Sequence, residues 1–110
     1  MEYIDCSQNQ LTSFPALPPK LYQLRCADNY LTQLPAIPNT IRYIDCKNNL
    51  LTSLPDIASP GLTLACADNF LTSLPLFSGV VNEIKFERNL ITDIQGLPPK
   101  IPVLNLSENP

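Results

Sequence analysis

The sequence predicts a mainly β fold in which short coils stack into a solenoid, with one parallel strand per coil, an extended convex side and little or no helix. Three observations predict it: residues recur at a fixed step of twenty, apolar and polar residues alternate once in each step, and prolines fill much of the remainder. A fixed step of this length is typical of solenoids, in which each unit packs only against its neighbours. We therefore expect residues 1–110 to form one array of about five and a half coils, with no visible cap at either end.

Several columns of residues carry the repeat along the chain, and none contains an insertion. The cysteine column consists of Cys6, Cys26, Cys46 and Cys66. The asparagine column consists of Asn9, Asn29, Asn49, Asn69, Asn89 and Asn109. One of the apolar columns consists of Ile4, Leu24, Ile44, Leu64, Ile84 and Leu104.

Each coil is predicted to begin with one short strand. In the third coil, Ile44 and Cys46 are apolar and Asp45 between them is charged. This period of two places alternate side chains on opposite faces of a strand. Strands of successive coils then stack in parallel, about 4.8 Å apart.

The other half of each coil is predicted to be extended. Its sequence in the third coil, TSLPDIASP at residues 52–60, contains two prolines and lacks helical spacing. Proline fixes φ and removes an N–H donor, which favours an extended or polyproline-like backbone. The side opposite the strands is therefore expected to contain no regular helix.

The asparagine column is expected to hold the coils together where each strand ends. A side-chain amide offers two donors and an acceptor, so it can bond to backbone groups of its own coil and of the neighbouring coil. Those groups would otherwise be buried without partners.

The stretch LYQLRCADNYLTQLPAIP, residues 21–38, resembles the leucine-rich repeat family. Its half LTQLPAIP resembles the short bacterial LPX subclass, which is known from effectors delivered by type III secretion. The cysteine-bearing form LxCxxNxLTxLP is also similar to repeats of secreted bacterial and giant-virus proteins. The resemblance covers the whole chain and implies a solenoid that binds a protein.

The four cysteines are predicted to be core hydrophobes. A line of side chains along a parallel stack does not gather the tetrahedral ligands of zinc, so a metal site is disfavoured. A disulfide is the second, less favoured alternative, because parallel side chains hold Cβ atoms near 4.8 Å rather than near 3.8 Å. Phe86 and Leu106 continue the column, which agrees with a packing role. Free buried thiols would favour a reducing compartment, such as the cytosol of a cell or of an invaded host.

Composition argues against several functions. A formal charge of −3 and scattered basic residues disfavour nucleic-acid binding. No apolar run approaches the roughly 20 residues that cross a bilayer. The chain has no histidine, no glycine-rich phosphate loop and no clustered carboxylates, so neither catalysis nor a cofactor is expected.

Partner binding is expected at positions that vary between coils, because the repeated positions are used for packing. Two outward columns of the strands and a stripe formed by Tyr30, Leu50, Phe70 and Leu90 qualify. A charge ladder of Asp5, Arg25 and Asp45 that sets register, and a rim that only covers the asparagines, are the alternative interpretations. The candidate binding residues are Tyr3, Asp5, Gln23, Arg25, Tyr30, Tyr43, Asp45, Lys47, Phe70, Lys85 and Arg88.

The fourth coil departs from the repeat. Gly61 replaces an apolar residue, with Leu62 displaced by one, and the strand carries the small residues Ala65 and Ala67. These residues predict a shallow dip between Asp45 and Lys85, interpreted as a packing adjustment in preference to a ligand pocket.

The sequence thus predicts a non-catalytic module that binds a protein through its concave strand face and aromatic rim, as the targeting part of an effector. The alternative is a structural component that packs into a larger particle or filament through its open ends, since exposed terminal strands invite pairing.

Overall fold

A computed structural model describes residues 2–98 and 100–110. Six parallel strands form one sheet in chain order. Their bounds are β1 Glu2–Asp5, β2 Leu21–Arg25, β3 Tyr43–Asp45, β4 Leu62–Ala65, β5 Val81–Lys85 and β6 Val103–Asn105. No helix occurs in these residues, and none of their segments could cross a membrane as a helix. The predicted solenoid with one strand per coil is confirmed, and each coil is numbered below after its strand.

The step of twenty residues sets the strand register. Tyr43 of β3 pairs with Gln23 of β2 on one side and with Thr63 of β4 on the other. The register shifts at the start of β1, after Glu2, and again at the start of β4, where Leu62 pairs with Val81 and is fully buried in place of Gly61. The displacement predicted from the sequence is therefore present, and it preserves the core.

The core lies between the sheet and the convex side. Its fully buried residues come from the inward-facing apolar columns of the middle coils, because these columns all face the same interior. They include Leu24, Ile44, Leu64 and Ile84 on the strands and Leu31, Leu51 and Leu71 after the asparagines.

The convex side is extended and packs closely. An isolated parallel bridge joins Ile57 to Phe77. Gly79 sits against the backbone carbonyl of Ser59, where an added Cβ would collide with main-chain atoms. The glycine is therefore required by the close approach of coils 3 and 4.

The asparagine column forms a hydrogen-bond ladder, called here the asparagine ladder. Asn69 donates through Nδ2 to the carbonyls of Cys46 in the preceding coil (3.0 Å) and of Ala67 in its own coil (3.2 Å). Its Oδ1 accepts from the amide of Leu51 (3.0 Å). Asn29, Asn49 and Asn89 repeat the arrangement and are buried, whereas Asn9 is exposed and Asn109 is half-buried. In coils 2 to 6, these amides therefore bond to backbone groups of their own coil and of the preceding coil.

The residue before each asparagine has a left-handed backbone, with φ between 54° and 60°. This left-handed column was not predicted, and it consists of Gln8, Asp28, Asn48, Asp68, Arg88 and Glu108. Asparagine and aspartate tolerate this conformation better than other side-chain-bearing residues do. The sharp change of direction lets the following asparagine point inward.

The cysteine column is largely buried, as expected, but one pair differs from the prediction. Cys46 and Cys66 are joined by a disulfide, whereas Cys6 and Cys26 are free. The Cα atoms of the pair lie 4.9 Å apart, which is within the range that a disulfide spans. The expectation that all four thiols stay unpaired is therefore wrong for coils 3 and 4, and with it the argument for a reducing compartment loses its support.

Candidate functional site

The outward surface of the six strands, called here the concave face, carries a cluster of side chains around Arg25 on β2 and β3. Its guanidinium lies over the ring of Tyr43, 5.2 Å from the centroid, in a cation–π contact. Gln23, with its amide oxygen turned toward Arg25, accepts from Nη2 at 2.9 Å. The contact with Tyr43 joins β2 to β3 on the outer surface of the sheet, whereas the hydrogen bond from Arg25 to Gln23 lies within β2.

The charge ladder that was the alternative interpretation of this column is not formed by the described side chains. Arg25 makes no ion pair with Asp5 or Asp45 in the described part of the chain, because its guanidinium is drawn to the neighbouring ring instead. The pKa of Asp5 is lowered first by the backbone amide and then by the hydroxyl of Ser7, and only weakly by the charge of Arg25. Asp5 therefore stabilises the turn that follows β1, where its Oδ1 accepts a hydrogen bond from the Ser7 amide at 3.1 Å.

Tyr3 occupies the first coil of the same face. Its ring meets that of Tyr22 edge-on, with centroids 5.9 Å apart and an interplanar angle of 69°. This geometry is favourable for an aromatic pair. Since the ring remains 60% exposed, it still offers an apolar surface at this end of the sheet.

The face also contains a hollow of about 670 Å³ over β4. Ala65 and Ala67 of coil 4 line it between the larger side chains of coils 3 and 5. The dip predicted from these alanines is present, and its volume is in the range of small-ligand or side-chain pockets. The remaining lining residues are Asp28, Tyr43, Asp45, Lys47, Asn48, Asp68, Lys85, Glu87 and Arg88.

The hollow has charged walls. Lys85 Nζ pairs with Glu83 Oε1 at 3.0 Å, and this contact raises the pKa of Lys85. Glu87 Oε1 is buried and accepts no hydrogen bond from the residues that the structure describes. A carboxylate oxygen that is buried without a donor raises the free energy of the folded state.

Arg88 closes one edge of the hollow through the left-handed column. It donates to both carboxylate oxygens of Asp68, at 2.6 Å and 3.0 Å, and to Glu108 at 3.1 Å. The hydrogen bond from Arg88 is the main cause that lowers the pKa of Asp68. A two-pronged contact of this kind orients both side chains.

The stripe of Tyr30, Leu50, Phe70 and Leu90, called here the apolar stripe, is exposed as predicted, by 53%, 40%, 47% and 47% respectively. The backbone amide of each bonds to the preceding coil, as in Phe70 N to Leu51 O at 2.8 Å. The backbone is thus fixed while the side chains face solvent. Four such residues in register form an apolar surface beside the asparagine ladder.

Solved structures of bacterial effectors share this fold. YopM from Yersinia enterocolitica WA-314 superposes with a TM-score of 0.87 at 28% identity over 99% of this chain. The leucine-rich repeat domain of a Shigella effector gives 0.82 at 31% identity over 100%. YopM from Yersinia pestis, a leucine-rich effector protein, gives 0.70 at 26% identity over 99%.

The chain is a leucine-rich repeat solenoid. It spans 29%, 52% and 38% of the lengths of those three structures, respectively. No family model and no curated protein matches the sequence. The resemblance to bacterial effector repeats inferred from the residues is confirmed by these structures.

The leucine-rich repeat fold brings together only part of the predicted site. Tyr43, Asp45, Lys47, Lys85 and Arg88 line the hollow. The other candidates lie elsewhere: Gln23 and Arg25 beside it, Tyr3 and Asp5 at the first coil, and Tyr30 and Phe70 on the apolar stripe.

Sequence reasoning missed three acidic residues of the hollow, namely Asp28, Asp68 and Glu87. The signal for the first two was present, because Asp or Asn stands before the asparagine in three successive coils of this leucine-rich repeat. No periodic signal marks Glu87, since its position holds serine, alanine or lysine in the other coils.

Proposed function

We propose that this chain is a non-catalytic module that binds a protein partner through its concave strand face, with the apolar stripe extending the contact. The hollow over β4 carries the proposal, because it is a large cavity lined by side chains that the repeat does not need for packing. The proposal agrees with the similarity to effector repeat domains. By the same similarity, we propose that the chain acts as the targeting part of an effector.

The composition of the face supports a protein partner. Exposed aromatic rings, together with arginine, are enriched at the residues that dominate binding energy in protein interfaces. Tyr43 with Arg25 on the strands and Phe70 on the apolar stripe provide such groups at two places. The stripe provides apolar surface area for the contact, and the charged side chains of the hollow provide specificity for the partner.

A photo-reactive phenylalanine analogue at Phe70 tests the proposal in two stages. In cells, the chain that carries the analogue at Phe70 should cross-link to a defined partner. A chain that carries the same analogue at Leu76, which is 64% exposed and lies outside the strand face, should not cross-link to that partner. The purified partner is then titrated with the full chain and with the triple variant Arg25→Ala, Tyr43→Ala, Phe70→Ala.

We expect the triple variant to lose at least about a hundredfold in affinity, because clustered aromatic and arginine contacts often contribute above 2 kcal/mol each. A matched variant, Lys20→Ala with Asp56→Ala and Leu76→Ala, changes exposed side chains outside the strands and should bind normally. Equal affinity of the two triple variants would refute the concave-face proposal.

A second candidate is assembly through the end of the sheet. Leu104 of β6 is 41% exposed, whereas its counterparts Leu24, Ile44, Leu64 and Ile84 are fully buried. An exposed strand edge with an exposed core residue can pair with another chain. Light scattering across micromolar concentrations decides this point: a concentration-dependent mass that falls on Leu104→Lys supports assembly, and a constant monomer mass excludes it.

A further inference from the structure

We propose that the hollow over β4 admits a basic side chain, an arginine or a lysine, of the protein partner. This inference rests on the proposed function and names the chemistry that the hollow recognises. It follows from the shape of the hollow, from the way its own charges are paired, and from one carboxylate oxygen that has no donor.

The shape allows one side chain to enter. Asp45, Ala65 and Lys85 are direct neighbours on three adjacent strands, so the walls of the hollow stand two strand spacings apart, about 9.6 Å. Only alanine lies between them in this column. Lys47, Ala67 and Glu87 repeat the pattern two residues later, so both positions of the floor are small.

The positive charges of the hollow are mostly engaged by other partners. Lys85 pairs with Glu83, and Arg88 is held by Asp68 and Glu108. Lys47 makes no ion pair among the described residues, but it is exposed and lies on the wall opposite Glu87.

The negative charges are less well satisfied. Glu87 Oε1 is buried and accepts nothing from the described residues. Within the same part of the chain, Asp45 accepts only from the backbone amide of Lys47, at 3.3 Å, and forms no ion pair. On the coil 5 wall, Glu87 therefore forms no ion pair among the described residues, whereas Lys85 and Arg88 are already paired with other carboxylates.

An arginine or lysine meets this need better than other side chains do. Its charged head can donate to the carboxylate of Asp45 and, once the buried oxygen of Glu87 turns toward the hollow, to Glu87 as well. Its methylene stem covers the alanine floor. An acidic group would face Glu87 and Asp45 with like charge. An apolar group would leave the buried oxygen without a donor and would add to the cost of its burial.

Titration of the ¹⁵N-labelled full chain with short capped peptides tests the inference without the natural partner. One peptide carries a single arginine between glycines and serines, and its control carries citrulline, which has the same shape and no charge. At millimolar concentrations we expect the arginine peptide to move the amide signals of Ala65, Ala67 and Glu87. The citrulline peptide should leave them in place.

Two variants localise the effect. Glu87→Gln should weaken binding of the arginine peptide by at least about threefold, because a charge-assisted contact becomes a neutral one. Glu2→Gln removes the same charge on β1, outside the hollow, and should have no effect. Ala67→Lys fills the floor with the residue that the same position carries in coil 3, so it should fold normally and abolish the shifts.

Equal shifts with arginine and citrulline, no shifts at all, or equal behaviour of Glu87→Gln and Glu2→Gln would each overturn the inference. These outcomes are separable from failure of the proposed function. Suppose that the arginine peptide does not bind, while the triple variant Arg25→Ala, Tyr43→Ala, Phe70→Ala still abolishes partner binding. The concave face then binds the partner, and only the inference that the hollow admits a basic side chain is wrong.

Discussion

The side-chain amide of Asn49 donates to the carbonyl oxygen of Cys26, 3.0 Å away and 23 residues earlier in the chain. The same nitrogen donates to Cys46 at 3.0 Å, and Oδ1 accepts from the Leu31 amide at 3.0 Å. Asn49 is only 4% exposed, so water cannot replace these bonds. One side chain thereby satisfies backbone groups of two coils at the point where the strand ends.

Asn49→Asp should destabilise the fold by about 3 kcal/mol, because a buried carboxylate cannot donate to the carbonyls that the amide serves. Urea denaturation followed by circular dichroism measures the change. Asn9→Asp is the control, since Asn9 is exposed and, among the described contacts, its side chain donates only within the first coil. A loss of stability as large in the control as in Asn49→Asp would show that burial between coils is not the cause.

The left-handed column predicts a difference between two substitutions at one position. Asn48 has φ 56° and donates to Asp28 Oδ1 at 2.7 Å. Asn48→Val and Asn48→Gly both remove that bond, but only valine is strained at positive φ. Asn48→Val should therefore be less stable than Asn48→Gly by about 1–2 kcal/mol. Equal unfolding midpoints and slopes for the two variants would contradict the backbone assignment.

The cysteines should react with a thiol reagent in a fixed order. Cys6 is half-buried and should be alkylated first, whereas Cys26 is fully buried and should be protected in the native state. Unfolding without reductant should expose Cys6 and Cys26, and reduction should then add Cys46 and Cys66. Peptide mass mapping after each step identifies the modified residues. Alkylation of Cys46 or Cys66 before reduction would refute the disulfide.

Alkaline pH should weaken the fold through Cys26. Burial raises the pKa of this thiol from 9.0 to about 12, with smaller contributions from Cys6 and Asp45. Between these values the unfolded chain releases the proton while the native state keeps it, so the free energy of unfolding falls as pH rises toward 12. Below 9.0 the contribution is fully present.

Cys26→Val isolates this effect from other titrating groups, since the cysteine column also holds plain hydrophobes. The free energy of unfolding should decline less steeply with pH in the variant than in the parent chain. Parallel pH profiles would show that the Cys26 thiol titrates alike in both states.

Much of the architecture could be predicted because a repeated spacing constrains packing directly. The step between Ile44 and Leu64 places them side by side on parallel strands, and the amide of Asn69 then has only backbone groups to bond. The dip over Ala65 was predictable for the same reason, because a missing side chain leaves a gap between its neighbours.

Other features depend on side-chain contacts and rotamers, which the repeat spacing does not determine. The column of Asp5, Arg25 and Asp45 suggested ion pairs, but a guanidinium can also stack, and Arg25 lies over Tyr43. Neighbouring cysteines of the column are all 20 residues apart. Sequence separation therefore does not distinguish Cys46 and Cys66, which form a disulfide, from Cys6 and Cys26, which stay free. The buried oxygen of Glu87 is set by its rotamer, which no periodicity reports.

The order of the coils has a consequence for how such a surface can change over generations. Loss of residues 50–69 would remove one complete period and join β3 to β5 without disturbing the columns. Asp45 would then lie beside Lys85, and Lys47 beside Glu87, at the spacing of adjacent strands, about 4.8 Å. Opposite charges would meet and the hollow would vanish. Duplication or loss of one block can therefore create or erase a hollow of this kind without a single point mutation.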